Sequence, residues 1–517
     1  MSKDFCLLDE PWLPVRLADG RVMELGLLET FARSGEIVGL AETAPPSLVA
    51  EYRLLLAITH RALAAAFGDW RDKDRARWYR EGLPLAEIRT YLEHWRERFW
   101  LFHPEHPFMQ VAALATCEET RALYPVNTVA LEQFYGPEMF NQEIYAQGPW
   151  NPASVLRSLL GYLQFVPGGF FPGKKLKSSE KAGPLTNTAA VLPTGHSLAR
   201  TLLLALHSAP REGHQPDLPN WERDSLSIAA LRGEPTLASG PNDRYTRLSR
   251  AVLLCREEDG GVRCLHFAAG MALGEDAQAP DPMASFRAGS NGLVRLTFGD
   301  GRVLWRDLPA LVPSTGEGVQ AAAVVQFALG LHQALNAFEQ IYQPLLVAGL
   351  ASNKGKLLRW RSERLVLPTA LLLEAEKGLF LRERVADAES LFAELKRLAT
   401  GLLADTLPDP SSKDTRARAR SLVEAGPLNT TYFASAERSL PAVLQQIGEG
   451  EFESASRQWR GVLRSAAMDA WQQVLAGLGN SPRAARADAR YWPRFQSLVK
   501  KHATLSESLS PHKEAAS

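Results

Sequence analysis

The hydrophobic period of this chain changes once, near Pro368, and that change sets its broad architecture. Upstream, short alternating apolar runs of the strand type are interleaved with runs whose apolar residues recur every three or four positions. Downstream, Leu371 to Leu403, Tyr432 to Ile447, Phe452 to Leu478 and Pro482 to Leu505 all keep the helical period. Amphipathic helices of this length, joined by short connectors, bury their apolar stripes most economically in an antiparallel bundle. Trp459, Leu463, Ala466, Ala470, Val474 and Leu478 form one such stripe. The last segment contains Pro493, which lacks an amide N–H, so a kink or break is expected there. The expected fold class is α+β. A large mixed α/β N-terminal domain over 1–367 precedes an all-α C-terminal four-helix bundle over 368–517, with a loose polar tail from Ser506.

Several upstream elements can be placed. Leu7 to Val15 and Arg21 to Leu25 read as strands joined at Ala18-Asp19-Gly20. Helical spacing covers Pro46 to Phe67, and recurs in Leu85, Ile88, Leu92, Trp95 and Phe99. Pro152 to Gln164 reads as a helix with Asn151 as its N-cap and Pro152 at its first position. It runs into Pro167-Gly168-Gly169-Phe170-Phe171-Pro172-Gly173-Lys174-Lys175, which cannot continue a helix. A further helix (His196 to His207) is followed by hairpins at Ala251 to Phe267 and at Leu293 to Trp305, the latter around Gly299-Asp300-Gly301.

Lys+Arg and Asp+Glu balance at 58 each, so no global field draws the molecule onto a polyanion. Nucleic-acid affinity must come from local patches or from partners, which suits a subunit better than a freestanding binder. The longest apolar runs, such as Ala321 to Leu331, fall short of the roughly 20 residues of a membrane span, and MSKDFCLLDEPW lacks the features of an export signal. Cys255 and Cys264 flank the turn Glu258-Asp259-Gly260-Gly261 and can face each other across a hairpin, where buried thiols are expected rather than a disulfide. The expected location is the cytoplasm, with no membrane partner.

Catalytic signals are scarce. His103-Pro104-Glu105-His106 superficially offers paired ligands, but its prolines preclude the i, i+4 geometry of helical zinc motifs, and no cysteine cluster accompanies it. A turn with hydrogen-bonded imidazoles is expected, with no metal and no cofactor. Phosphate-loop, nucleophile-elbow, helicase and nuclease signatures are missing, so the chain is read as a non-enzyme.

Three segments point instead to nucleic acid. The glycines Gly168 and Gly169 allow a backbone to approach a sugar-phosphate edge, and Lys174, Lys175 and Lys177 can meet phosphates. The stretch Gly349 to Arg364 has a turn-like tip, Ser352-Asn353-Lys354-Gly355, and a stem carrying Lys356, Arg359, Arg361 and Arg364 with a single acid, Glu363. Arg483, Arg486, Arg490 and Arg494 recur every three or four residues in the last helix, and Arg457, Arg460 and Arg464 do so in the third. For each segment the residues admit two readings, a DNA-facing surface or an ordinary solvated one.

Taken together, these segments resemble the CasA family, the large subunit of the type I-E CRISPR surveillance complex, Cascade. The resemblance rests on Leu7-Leu8-Asp9-Glu10-Pro11-Trp12-Leu13-Pro14-Val15-Arg16 and, most specifically, on Phe99 through His103-Pro104-Glu105-His106-Pro107-Phe108-Met109-Gln110. The glycine loop, the Asn353 hairpin and the helical C-terminus follow in the family's order. The resemblance implies a non-catalytic subunit that reads the protospacer-adjacent motif of double-stranded DNA, mostly from the minor groove. It further implies opening of the duplex for guide pairing, help in placing the displaced strand, and docking of the nuclease-helicase. The implied partners are the backbone, 5′-handle-binding and small subunits of Cascade, CRISPR RNA, target DNA and the nuclease-helicase. By position, Gly168 and Gly169 match the minor-groove loop, and Asn353, Lys354 and Gly355 match the wedge at the hairpin tip. Two departures stand out. Lys354 occupies a place where well-known relatives carry glutamine, and Ala268 to Leu273, which aligns with their lysine finger, contains no lysine. The cysteine cluster of some relatives is also missing. A metal-dependent hydrolase or nuclease using His103/His106, and a pure protein scaffold, are the rival readings.

Overall fold

The computed structural model of the protein describes residues 3–131, 149–169, 176, 181–209, 216–274, 280–299, 301–313, 318–335, 341–353 and 356–504. The chain divides into two compact units, Met1–Asp300 with Glu317–Leu367, and Gly301–Gly316 with Pro368–Ser517. The segment 301–316, which the sequence reading placed in the N-terminal domain, thus belongs with the helical C-terminus.

The first unit is built around the helix Pro45–Phe67, buried along most of its length. A helix buried on all faces belongs inside a core, and this one is flanked by helices Leu85–His94, Pro152–Phe165 and Leu198–Ala205. Its Arg53 is fully buried, donating to Asp281 at 2.6 Å and lying 4.5 Å from the centroid of the Tyr245 ring. That charge is paired rather than stranded. Small sheets surround this core. Leu13–Leu17 lies between Val22–Leu25 and Ile37–Leu40, and Val262–Ala269 lies between Leu123–Pro125 and Arg250–Arg256. In a third, Tyr342–Asn353 lies between Lys356–Pro368 and Ala189–Pro193.

Three expectations are corrected. Leu7 to Trp12 is a tight turn, not strand. The amides of Asp9 and Glu10 both donate to Cys6 O, and the Trp12 indole donates to Leu7 O at 3.1 Å, so these groups are already engaged locally. The second hairpin lies earlier than expected, pairing Phe286–Gly289 with Gly292–Arg295. Residues Leu304–Ala310 instead form a 3-10 segment whose Leu304, Trp305 and Leu308 share a buried face. Cys255 and Cys264 are register partners on adjacent strands, as free thiols that are half-buried rather than buried.

The second unit joins Leu304–Ala310 to helices Ala375–Thr406, Lys413–Ala425, Leu428–Glu437, Leu440–Glu449, Phe452–Ala476 and Pro482–Thr504, with a short turn of helix at Ala370–Leu373. The expected second arm is split at Ser439, where Pro441 in the next first turn cannot donate. With Leu428–Glu437 and Leu440–Glu449 counted as one broken arm, four arms pack together, and Lys413–Ala425 lies against the first. Pro493 does not interrupt the last helix. Buried Tyr491, Phe495 and Leu498 anchor the stretch around it, and Phe495 stacks on Trp471 at 4.7 Å. No helix among the described residues is long and apolar enough to cross a membrane.

Candidate nucleic-acid interface

The helix Pro152–Phe165 begins where Asn151 accepts the Ala153 amide at 2.8 Å. It stops at Val166, which is extended, and the chain turns through exposed Gly168 and Gly169. Gly169 has φ +74°, and a Cβ there would meet nothing within 4 Å, so glycine is required for the backbone rather than for space. The foot of this loop is firmly tied. Val166 O accepts from Gly183 N at 2.8 Å and Thr186 Oγ1 at 2.6 Å, and Gln164 O accepts from Leu185 N at 2.9 Å. Arg250, only 1% exposed, donates to Pro167 O at 2.9 Å and to Lys181 O at 2.7 Å, bridging the chain that enters the loop and the chain that leaves it.

The hairpin strand Tyr342–Asn353 pairs with Ala189–Pro193 from Leu345 to Gly349. At Gly349 a Cβ would sit 2.1 Å from Thr188 O, so only glycine lets the strands pass at that distance. Beyond it the two hairpin strands continue past the third, to Asn353 and Lys356. Lys354 and Gly355, and Lys174, Lys175 and Lys177 of the glycine loop, lie outside the described residues, as do the side chains of Asn353 and Lys356. On the stem, Arg359 and Arg364 are exposed. Arg361 instead lies 4.6 Å from the Phe298 ring centroid and pairs with Glu363. The neighbouring Trp360 meets Phe165 edge-on, with centroids 5.7 Å apart at 86°. The stem therefore rests on the last residue of the helix that leads into the glycine loop.

A third segment joins them. Arg250 is the register partner of Ala269, and Met271 N donates to Leu248 O at 2.7 Å. The stretch Ala268 to Leu273 thus runs beside the residue that closes the glycine loop, and it carries no cationic side chain. Sequence reasoning missed Arg250 altogether.

Arg483, Arg486, Arg490 and Arg494 belong to the other unit, on helix Pro482–Thr504, and all four are exposed. Arg490 is tied to Asp405 at 2.8 Å with 60% of its side chain exposed, and Arg494 lies 5.0 Å from the Tyr491 ring centroid. Helix Lys413–Ala425, absent from the sequence reading, adds exposed Arg416, Arg418 and Arg420.

The profile of a family described as CRISPR-associated protein Cse1 matches residues 7–470. The chain belongs to the Cse1 family. A CRISPR-associated protein CasA/Cse1 of Thermus thermophilus is 33% identical over 506 residues, covering 96% of this chain and 97% of the relative. A crystal structure of CasA from Thermus thermophilus is similar at a TM-score of 0.83 and 31% identity, covering 96% and 100% of the two chains. A chain of a CRISPR RNA-guided surveillance complex shares the fold at a TM-score of 0.73 and 21% identity, covering 96% and 100%. The α+β class with a helical C-terminal region is that of the Cse1 structures.

In this Cse1 chain the Phe99–Gln110 motif holds the fold together. Gln110 donates to Leu101 O at 2.7 Å and accepts from Leu254 N at 2.8 Å, joining two sheets. His103 Nδ1 accepts from the amides of Glu105 and His106 at 3.1 and 2.8 Å, which requires a lone pair on that nitrogen. Burial pushes His103 below its ordinary range, consistent with a neutral ring that braces a turn. His106 Nδ1 is engaged by Ser225 Oγ at 2.6 Å. Among the described residues no group of three or more metal-ligating side chains gathers here or elsewhere.

Proposed function

We propose that this chain is the non-catalytic subunit of a CRISPR RNA-guided surveillance complex that reads the protospacer-adjacent motif in duplex DNA. In this reading Gly168-Gly169 approaches the minor groove and the Asn353-Lys354-Gly355 tip enters beside the motif and opens the duplex. Guide RNA then pairs with one strand, the basic C-terminal helices help place the other, and the nuclease-helicase is recruited to the assembly. The observation that carries the reading is the shared scaffold. The foot of the glycine loop and the stem of the hairpin, far apart in sequence, meet at Phe165. A positive side chain at the tip suits the negative potential of a narrow groove.

The test is binding of motif-bearing duplex by the assembled complex. Asn353→Ala and Lys354→Ala should each weaken it about tenfold, roughly 1.4 kcal/mol, while leaving subunit assembly intact. Binding equal to that of the parent complex would remove the wedge assignment.

A further inference from the structure

We propose that Arg250 and Trp360 are positioning residues that couple the foot of the glycine loop to the hairpin stem, so that motif reading depends on both together. The inference rests on the motif-reading role proposed above. Arg250 starts a strand whose next residues, Ala251 to Leu254, are buried and apolar, yet it is itself buried. Burying a guanidinium carries a large desolvation cost unless its donors are used. Here Nη1 donates to the carbonyls of Lys181 and Ser249 and Nη2 to that of Pro167, and Pro167 and Lys181 stand on either side of the loop. A planar fork can hold two such carbonyls at a fixed separation, which a lysine ammonium cannot do. From the other side, Trp360 presses on Phe165, two residues before Pro167. Ser249, adjacent to Arg250, donates its hydroxyl to Leu163 O in the same helix end. Residues 163–167 are thus gripped by the loop clamp and the hairpin together. A shift of the stem at Trp360 moves Phe165 and, through it, the carbonyl that Arg250 holds.

The experiment uses the assembled complex carrying R250K, W360L or both, with duplexes of equal length bearing the motif or a scrambled flank. The quantity read is the ratio of the two affinities. Each single variant should lower that ratio about tenfold, with scrambled-duplex binding unchanged within about twofold. The double variant should fall no further than about twofold below the worse single, because one coupled device has been broken twice. Ratios preserved in both singles, or losses that multiply in the double, overturn the coupling. In complexes that assemble, parallel loss of scrambled-duplex binding overturns it as well, since that is what residues with a merely structural role would give. Should R250K fail to assemble, hydrogen exchange of the free chain decides. W360L should speed exchange at Gly183 and Leu185, whose amides hold the loop's foot, and unchanged rates there refute the coupling. If Asn353→Ala and Lys354→Ala lower the ratio and these variants do not, the coupling fails alone. If none of the four lowers it, the motif-reading role fails too.

Discussion

His60 and His207 stack inside the first unit with ring centroids 3.7 Å apart and planes at 14°. His60 is satisfied by the Asn242 amide at 2.9 Å and by Ser208 O at 3.0 Å, whereas both nitrogens of His207 are buried without a hydrogen bond. Burial pushes His60 down to about 3, and burial together with the neighbouring His60 and Arg75 pushes His207 well below its ordinary value. In the unfolded chain these rings titrate near 6.5. As pH falls below that, the unfolded state takes up protons that the folded state refuses, so stability is lost on acidification. The slope approaches about 1.4 kcal/mol per pH unit for each ring. Glu51 acts in the opposite sense. Burial raises it well above the usual carboxylate range, so its contribution is fully present at low pH and fades as pH rises. Comparing His207→Phe with the parent cancels the Glu51 term. The variant should gain on the parent by about 1 kcal/mol per pH unit between pH 6 and 5 in urea unfolding, and a pH-independent difference would contradict this account. Neither the stacked histidines nor Arg250 was legible in the sequence. An Arg ahead of Ala-Val-Leu-Leu reads as a strand end facing water, and only the carbonyls of Pro167 and Lys181, about 70 to 80 residues away, make it an interior residue.

At the scale of elements, helix Pro482–Thr504 offers a sharper test of its arginines than counting charges. Arg486 and Arg494 are exposed, whereas Arg490 is engaged by Asp405 and must exchange that partner for a phosphate. Exposed pairs of this kind contribute only about 0–1 kcal/mol, so Arg490 remains available at modest cost. Changing Arg486, Arg490 and Arg494 together to alanine should weaken binding of any duplex, motif-bearing or not. It should also flatten the dependence of log affinity on log salt by about two to three. An unchanged slope returns the stripe to an ordinary solvated face. The elements themselves were legible where a local signal exists, as at Asn151-Pro152 and in the Asn353 hairpin with its paired runs on either side. Helix Lys413–Ala425 was not, because Ala419 and Val423 are its only buried residues, too few to mark a helical period. Pro493 was misjudged for the converse reason. Local chemistry argued for a break, but the packing of Phe495 on Trp471 outweighs a single missing hydrogen bond.

At the scale of the whole molecule, the chain crosses from the first unit into the second at residue 301, returns near 317, and crosses again at 368. The first crossing is not a passive linker. Trp305 is 1% exposed, with its ring centroid 5.6 Å from Trp459 and 5.7 Å from Phe433. Arg306 lies 3.6 Å from the Phe433 ring centroid and grips Glu389 with two bonds of 2.6 and 2.7 Å. Asn429 donates to Gly301 O at 3.2 Å, fixing the start of the segment. The helical unit therefore completes its core with residues contributed from the middle of the chain, which the change of period at Pro368 gave no means of seeing. Trp305→Ala should destabilise that unit by about 3–5 kcal/mol, the usual cost of emptying a tryptophan site. Because the site lies wholly among the second unit's residues, the loss should be local. Hydrogen exchange should accelerate in Ala375–Thr406, Leu428–Glu437 and Phe452–Ala476, while amides of the buried helix Pro45–Phe67 keep their protection. Equal acceleration in Pro45–Phe67 would mean that the two units unfold as one, and that the division seen in the fold is not a division in energy.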